Sequence, residues 1–408
     1  MNNKKNILIA TGIFPPDIGG PATYVDTLLK ELPKRGFDVK VVTYNSQLTT
    51  HNSQLTTHNS QLATHNSQHP PSVIPASKFA GIYAISRSQN IFLRYFKYFL
   101  QIWKLISWAD IIYIQDSISS GIPASLACRL RGKKYYLKIV GDYAWEQGRQ
   151  KYGVKENLDD FQDKKYCWHI ALIRFFQKQT AKKAAKIIVP SNYLKSIVLK
   201  WGIIEEKINV VYNSVRKAEV IEEKEVLREE LGISGDIIIS VGRLVPWKGF
   251  DILIDIMPEL LKINKNFKLY IIGDGPEFGN YELRIKNQEL SNSIKLLGSL
   301  EQKKLWQYMK SCNLFVLNTG YEGLPHIIIE AMYLGLPVIT TGVGGNIEVI
   351  RPGENGLLVE YNNKTQIKNA ILEIWKNKEA RQEMIRSGTN DLEKFSVKNM
   401  IDGLLKIL

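Results

Sequence analysis

The chain has 408 residues, 44% of them hydrophobic, three cysteines and a formal charge of +14. That length predicts two or three domains; the scattered Cys128, Cys167 and Cys312 exclude a disulfide scaffold or a zinc site and read as buried thiols of a reducing compartment. The charge is uneven, with 29 Lys/Arg against 14 Asp/Glu in residues 1–210 and 25 against 26 in residues 211–408, so only the first half asks for an anionic partner, a membrane surface or a nucleic acid.

The opening MNNKKNILIATG runs into a strand without a signal-peptide apolar region. No apolar run reaches the ~18 uncharged residues of a spanning helix, which predicts an unprocessed cytoplasmic protein. Residues 6–10 read as a strand, 11–21 (TGIFPPDIGGP) as a loop, 22–35 as a helix and 39–43 as a second strand, the opening of a doubly wound parallel sheet. Residues 45–68 then repeat NSQLTTH with a period of seven. The repeat lacks the apolar a/d pair of a coiled coil, and its His51, His58 and His65 fit a solvated polar insertion far better than a metal site.

Residues 90–108 form an aromatic, apolar stretch in which Arg94, Lys97, Gln101 and Lys104 make a polar stripe at helical spacing. Arg174, Lys178, Lys182 and Lys186 predict a second basic stripe on the helix before a strand at 187–189. Together the stripes suit a protein resting on an anionic membrane surface; each alone equally suits a core-packed helix with a solvated face. Strands at 111–114 and 135–140 leave Asp116 and Asp142 just past their ends, and 187–189 reads as the last strand of this half. The predicted domains are 1–210, with the 45–68 insertion, and 236–392, joined by a charged linker at 211–235. The second domain is predicted to hold strands at 237–241, 269–272, 294–297, 314–317 and 338–340 and helices at 366–376 and 379–387. Residues 393–408 form a C-terminal segment with a last helix at 397–407.

The loops after the second domain's strands gather one kind of tool. Gly242-Arg243 ends a strand and Lys248 follows five residues later, a natural cationic clamp for a diphosphate. In GDGP, Gly273 and Gly275 allow a ligand close to the backbone, although the spacing is not that of a dinucleotide fingerprint. TTGVGGNIEVI offers Gly342, Gly344 and Gly345 as a possible oxyanion-binding turn. In GYEGLPHIIIEAMYLG, Pro325 is suited to the first helical position, with Glu322 in the loop before it and Glu330 in the second turn. An ionised Glu only accepts hydrogen bonds, so beside cations both suit ligand hydroxyls better than a metal, unless Glu322 merely caps the helix. No D-x-D triplet is present.

Taken together, GRLVPWKG, GDGP and EGLPHIIIEAMYLGLPVI resemble glycosyltransferase family 4, the retaining, sugar-nucleotide-dependent enzymes of the GT-B fold. Gly19-Gly20 and Asn213-Ser214-Val215 extend the resemblance over nearly the whole chain. It implies two Rossmann-like doubly wound parallel-sheet domains facing a cleft, with a nucleotide-diphosphate sugar as donor, no separate cofactor and no metal. Arg243 and Lys248 would bind the donor diphosphate and stabilise it as it leaves. Glu330 would accept from the ribose hydroxyls. Glu322 would sit against the donor sugar beside the backbone of Gly323 and Leu324, and Gly242, Gly273 and Gly275 would line the donor. Gly19 and Gly20 would close over it near the acceptor, and the last helix would cross back to the N-terminal domain.

The chain departs from the family pattern at Gly141-Asp142, where many members carry a His, so either Asp142 would take the acceptor-side role or the site would differ there. NSV replaces the usual NGV in the linker. The implied partners are a nucleotide sugar, a glycan or lipid-linked acceptor of cell-envelope type, and an anionic membrane surface. Nucleic acid is set aside for want of a helix-turn-helix, zinc or single-strand-binding signature. The alternative is a non-catalytic nucleotide-sugar or membrane-surface binding protein of the same fold that has lost turnover around Asp142.

Overall fold

The computed structural model describes residues 4–15, 17, 19–45, 81–218 and 220–408. All of the heptapeptide insertion except Asn45 lies outside the described residues, and with it the three repeat histidines. The chain divides into two compact units: Met1–Val189 with Lys195–Val211 and Ile401–Leu408, and Pro190–Leu194 with Tyr212–Met400.

The first unit is built on β1 (Lys5–Ala10), β2 (Phe37–Tyr44), β3 (Ile82–Ile85), β4 (Ile111–Ile114), β5 (Tyr136–Lys138), β6 (Lys186–Val189) and β7 (Ile208–Val210). They lie in the order β3-β2-β1-β4-β5-β6-β7, all parallel, with Ile9 opposite Val41 on one side and Tyr113 on the other. The apolar runs of β1 and β4 are buried because a central parallel strand is covered on both faces. β6 is not the last strand of this half. β7, whose sequence is only INV, carries no periodic signal and becomes a strand by pairing with β6.

Right-handed crossovers place the helix Gly20–Glu31 on one face of this sheet. The helices Ile91–Leu105, Gly121–Leu130 and Trp168–Lys183 lie on the other, because their connections all step across the sheet in the opposite direction. The second basic stripe keeps Arg174, Lys178 and Lys182 on one helix and loses Lys186. Trp168–Lys183 stops where Ala184 turns extended (ψ 144), so Lys186 begins β6 and donates to the Glu206 carbonyl at 2.8 Å. Arg174 is likewise engaged, donating to the carbonyls of Lys164, Phe161 and Gln162 at 2.8, 3.1 and 2.7 Å. The cysteine reading is corrected at one position: Cys128 and Cys312 are buried, whereas Cys167, just before that helix, is exposed.

The second unit carries β8 (Asp236–Val241), β9 (Phe267–Ile272), β10 (Ile294–Leu296), β11 (Leu314–Leu317), β12 (Val338–Thr341) and β13 (Leu357–Val359), all parallel in the order β10-β9-β8-β11-β12-β13. Along β8 the side chains alternate between two cores, with Ile237, Ile239 and Val241 in one and Ile238 in the other. Part of the charged linker is folded. The helix Lys224–Glu230 buries Leu227 completely, and its Arg228 donates to the carbonyls of Ser311 at 3.0 Å and Gly235 at 2.6 Å. From the final helix, Val397–Leu405, residues 401–408 count with the first unit, where Arg35 pairs with Asp402 at 2.7 Å.

Candidate active site

In the second unit the strand order reverses between β8 and β11. The loops leaving those two strands diverge, and such a divergence opens a ligand crevice at the carboxyl edge of an α/β sheet. Arg243 and Lys248 follow β8; Glu322, Gly323 and Leu324 follow β11; Glu330 lies on the helix His326–Tyr333. The fold thus gathers at one edge residues that are up to 87 positions apart in the chain.

The Lys248 ammonium is ion-paired with Oε1 of Glu322, and the two side chains are only 13% and 14% exposed. Among the described residues no side chain, that of Glu322 included, caps the helix, and Pro325 is the N-cap residue itself rather than the first helical position. The amides of Gly323 and Leu324 make no hydrogen bond among the described residues. Oε2 of Glu330 accepts from Gln302 Nε2 at 3.0 Å and Trp306 Nε1 at 2.8 Å, and burial raises its pKa above the ordinary carboxylate value. Oε1 of Glu330 has no partner among the described residues and remains an open acceptor. Arg243 is exposed and makes no ion pair among the described residues.

The glycines of these loops are also packed loop against loop. A Cβ on Gly273 (φ 143) would stand 1.9 Å from the Gly242 carbonyl oxygen, and one on Gly275 would stand 2.3 Å from that of Leu244. Gly344 (φ 57) and Gly345 press in the same way on the carbonyls of Glu322 and Gly323, at 2.3 and 2.4 Å. The neighbouring loop therefore comes as close as a side chain would at each of these glycines. The amide of Gly345 donates to the Glu322 carbonyl at 2.8 Å, so that part of the expected oxyanion turn is spent on positioning Glu322.

Sequence reasoning missed the polar groups that tie these loops. Asn318 Nδ2 donates to the Gly249 carbonyl at 2.9 Å, Thr341 Oγ1 to that of Thr319 at 2.6 Å, and the Gly320 amide to that of Trp247 at 2.7 Å. An Asn-Thr pair closing the apolar run LFVL was the available signal. Gln302 and Trp306, at four-residue spacing on the helix Gln302–Ser311, had none.

The first unit has its own reversal, between β1 and β4. Gly19, at φ 151 and ψ 156, occupies a backbone region open to glycine and is the N-cap of the helix Gly20–Glu31, which has no side-chain cap among the described residues. Asp142 is 1% exposed and already engaged. Its Oδ1 accepts from the Trp145 amide at 3.0 Å and from Gln177 Nε2 at 3.1 Å, and its Oδ2 from Gln162 Nε2 at 2.9 Å. It is the N-cap of the helix Tyr143–Lys151. Among the described residues no group of three or more His, Cys, Asp or Glu could hold a metal ion.

Two family models match successive parts of the chain, Glycosyltransferase Family 4 over residues 18–219 and Glycosyl transferases group 1 over residues 223–391. The chain belongs to glycosyltransferase family 4. Two uncharacterized glycosyltransferases of Methanocaldococcus jannaschii are 35% and 29% identical to this family 4 chain, over 57% and 53% of it. The matches span 62% and 58% of those proteins, less than two thirds of either. HepE of Anabaena, solved in complex with UDP-glucose, matches 99% of this family 4 chain and 100% of its own length, with a TM-score of 0.74 at 18% identity. That likeness shows the shared fold, two Rossmann-like parallel sheets of the GT-B kind.

Proposed function

We propose that the protein is a retaining glycosyltransferase that moves a hexose-type sugar from a nucleotide-diphosphate donor to a glycan or lipid-linked acceptor of the cell envelope, at the cytoplasmic face of a membrane. The observation that carries this reading is the meeting of Lys248 and Glu322 at the second unit's strand reversal, beside the unbonded amides of Gly323 and Leu324. In the reaction the bond from the anomeric carbon to the diphosphate breaks, a bond to an acceptor oxygen forms, and the acceptor's proton is released. Arg243 and Lys248 stabilise the negative charge that grows on the departing diphosphate, supplying electrostatically what a divalent ion supplies elsewhere. An arriving diphosphate competes with Glu322 for Lys248, which frees the Glu322 carboxylate for the donor sugar. The open Oε1 of Glu330 accepts from the ribose, and the Gly323 and Leu324 amides donate to the sugar. Gly19 and Gly20 present a helix N-terminus from the acceptor-side unit, and Asp142 shapes the loop beside it.

HepE is described in complex with UDP-glucose, which makes that molecule the first donor to try. Sugar nucleotides are screened by thermal shift, since a ligand that binds the folded state raises its stability. The donor so found is then tested for transfer and hydrolysis. Lys248→Ala and Glu330→Ala are expected to keep the fold, lose the donor-induced shift and lower turnover by about 10²–10³. Full turnover in both variants would sink the proposal.

A further inference from the structure

A helix that covers a sheet ordinarily turns its apolar stripe inward and its polar side out. In the first unit the inward positions are filled as expected, by Tyr98, Ile102 and Leu105 on Ile91–Leu105 and by Ile170 and Ala181 on Trp168–Lys183. The outward positions are apolar as well. Phe92 is 82% exposed and Phe96 57%, with Leu100 in line a turn further on. On the other helix Trp168 is 68% exposed and Phe175 54%, with Leu172 and Phe176 beside them. Positions 92, 96 and 100, like 168, 172 and 175, follow the helical repeat, so each set is one stripe aimed at solvent. The helix Gly121–Leu130 packs against both of these helices and adds exposed Leu126 and Leu130. A patch of this kind marks an interaction surface.

Charge selects the partner. The three helices hold eight Lys/Arg and no Asp or Glu. Lys97 and Lys104 are exposed beside the first stripe, and Lys182 and Lys183 at the end of the other. Two copies of this face would set like charges against each other. An anionic bilayer meets both features at once, acyl chains for the rings and headgroup phosphates for the lysines. No helix among the described residues is long and apolar enough to cross a membrane, so the contact is one of lying on the surface.

We infer that this three-helix face docks on an anionic lipid bilayer, with the rings of Phe92, Phe96, Trp168 and Phe175 at the boundary between headgroups and acyl chains. Because these helices run antiparallel to the strands, the aromatic ends lie at the carboxyl edge of the sheet, the edge that carries Gly19 and Gly20. Docking would bring that edge to the plane where a lipid-linked acceptor is displayed, and only this last step rests on the proposed transfer reaction.

The test is cosedimentation of the full chain with vesicles of phosphatidylcholine alone or mixed with phosphatidylglycerol, at low and high salt. The wild type is compared with Phe92→Ser/Phe96→Ser, Phe175→Ser/Phe176→Ser and Lys97→Gln/Lys104→Gln. The aromatic pairs are solvent-exposed, so their melting temperatures should match the wild type. The expected result is pelleting with the phosphatidylglycerol vesicles, weakened by salt. Each aromatic pair should lower the partition coefficient by about tenfold or more, and the lysine pair should remove most of the salt dependence. The inference is overturned if the wild type stays in solution with both vesicles, or if the aromatic variants pellet as it does. It is equally overturned if sedimentation equilibrium shows a dimer that the aromatic variants dissociate and no vesicle binding occurs. Donor-induced thermal shift is read in parallel: vesicle binding without a donor shift contradicts the transferase reading and leaves the docking surface standing.

Discussion

Lys138 closes β5 with 1% of its surface exposed, and its Nζ has no hydrogen-bond partner among the described residues. The Tyr24 ring lies 3.8 Å from that nitrogen, a contact worth about 1–2 kcal/mol. Burial outweighs it and pulls the ammonium from its ordinary 10.5 down to about 7. Between those two values the unfolded chain holds a proton that the folded chain has lost, so stability rises with pH from about 7 to 10.5; below about 7 the full cost of burying the charge remains. Lys138→Met should flatten that rise and add about 1–3 kcal/mol at neutral pH. Urea unfolding of the first unit followed at several pH values measures both. An unchanged slope in the variant would show that another group causes the rise.

At the same scale, Glu322 and Glu330 were legible in the sequence because their types, spacing and adjacent helix start state a chemistry locally. Asp142 was not, since Gln162 and Gln177, which occupy its oxygens, stand 20 and 35 residues further along. A carboxylate past a strand end is read as free until the fold supplies its donors.

At the scale of elements, the glycines of the second unit's loops also let those loops pack on one another, which no local motif states. Gly273→Ala would place a methyl group against the Gly242 carbonyl in a backbone region that L-residues rarely adopt. It is expected to cost on the order of 2–4 kcal/mol and to weaken donor binding through Arg243 and Lys248, although Gly273 touches neither. Chemical denaturation and donor thermal shift read the two effects; wild-type stability in the variant would mean that the two loops are not in contact. The helix Trp168–Lys183 teaches a related lesson. Four-residue spacing found a true periodicity in Arg174, Lys178 and Lys182, but the helix ended before Lys186, and the solvent side proved to carry aromatic rings as well as lysines. Periodicity shows that faces exist; the packing of neighbours decides which face is covered.

At the scale of the whole molecule, each unit has its own parallel sheet and its own strand reversal, and the last residues of the chain belong to the first unit. Leu404 is fully buried there. Leu404→Ala should cost about 2–5 kcal/mol, and hydrogen exchange should locate the loss in the strands of the first unit rather than the second. Equal loss in both units would contradict that assignment. By itself the sequence determined two α/β halves and the order of their central strands along the chain, and it offered candidates for a diphosphate and a sugar site, because apolar runs and local motifs are written within a few residues. Only the tertiary structure decided that Lys248 meets Glu322, that the glycines press loop on loop, that Asp142 is a buried cap and that an aromatic face points outward. Each of those depends on partners brought together by sheet order and crossover handedness, which no local stretch of the chain contains.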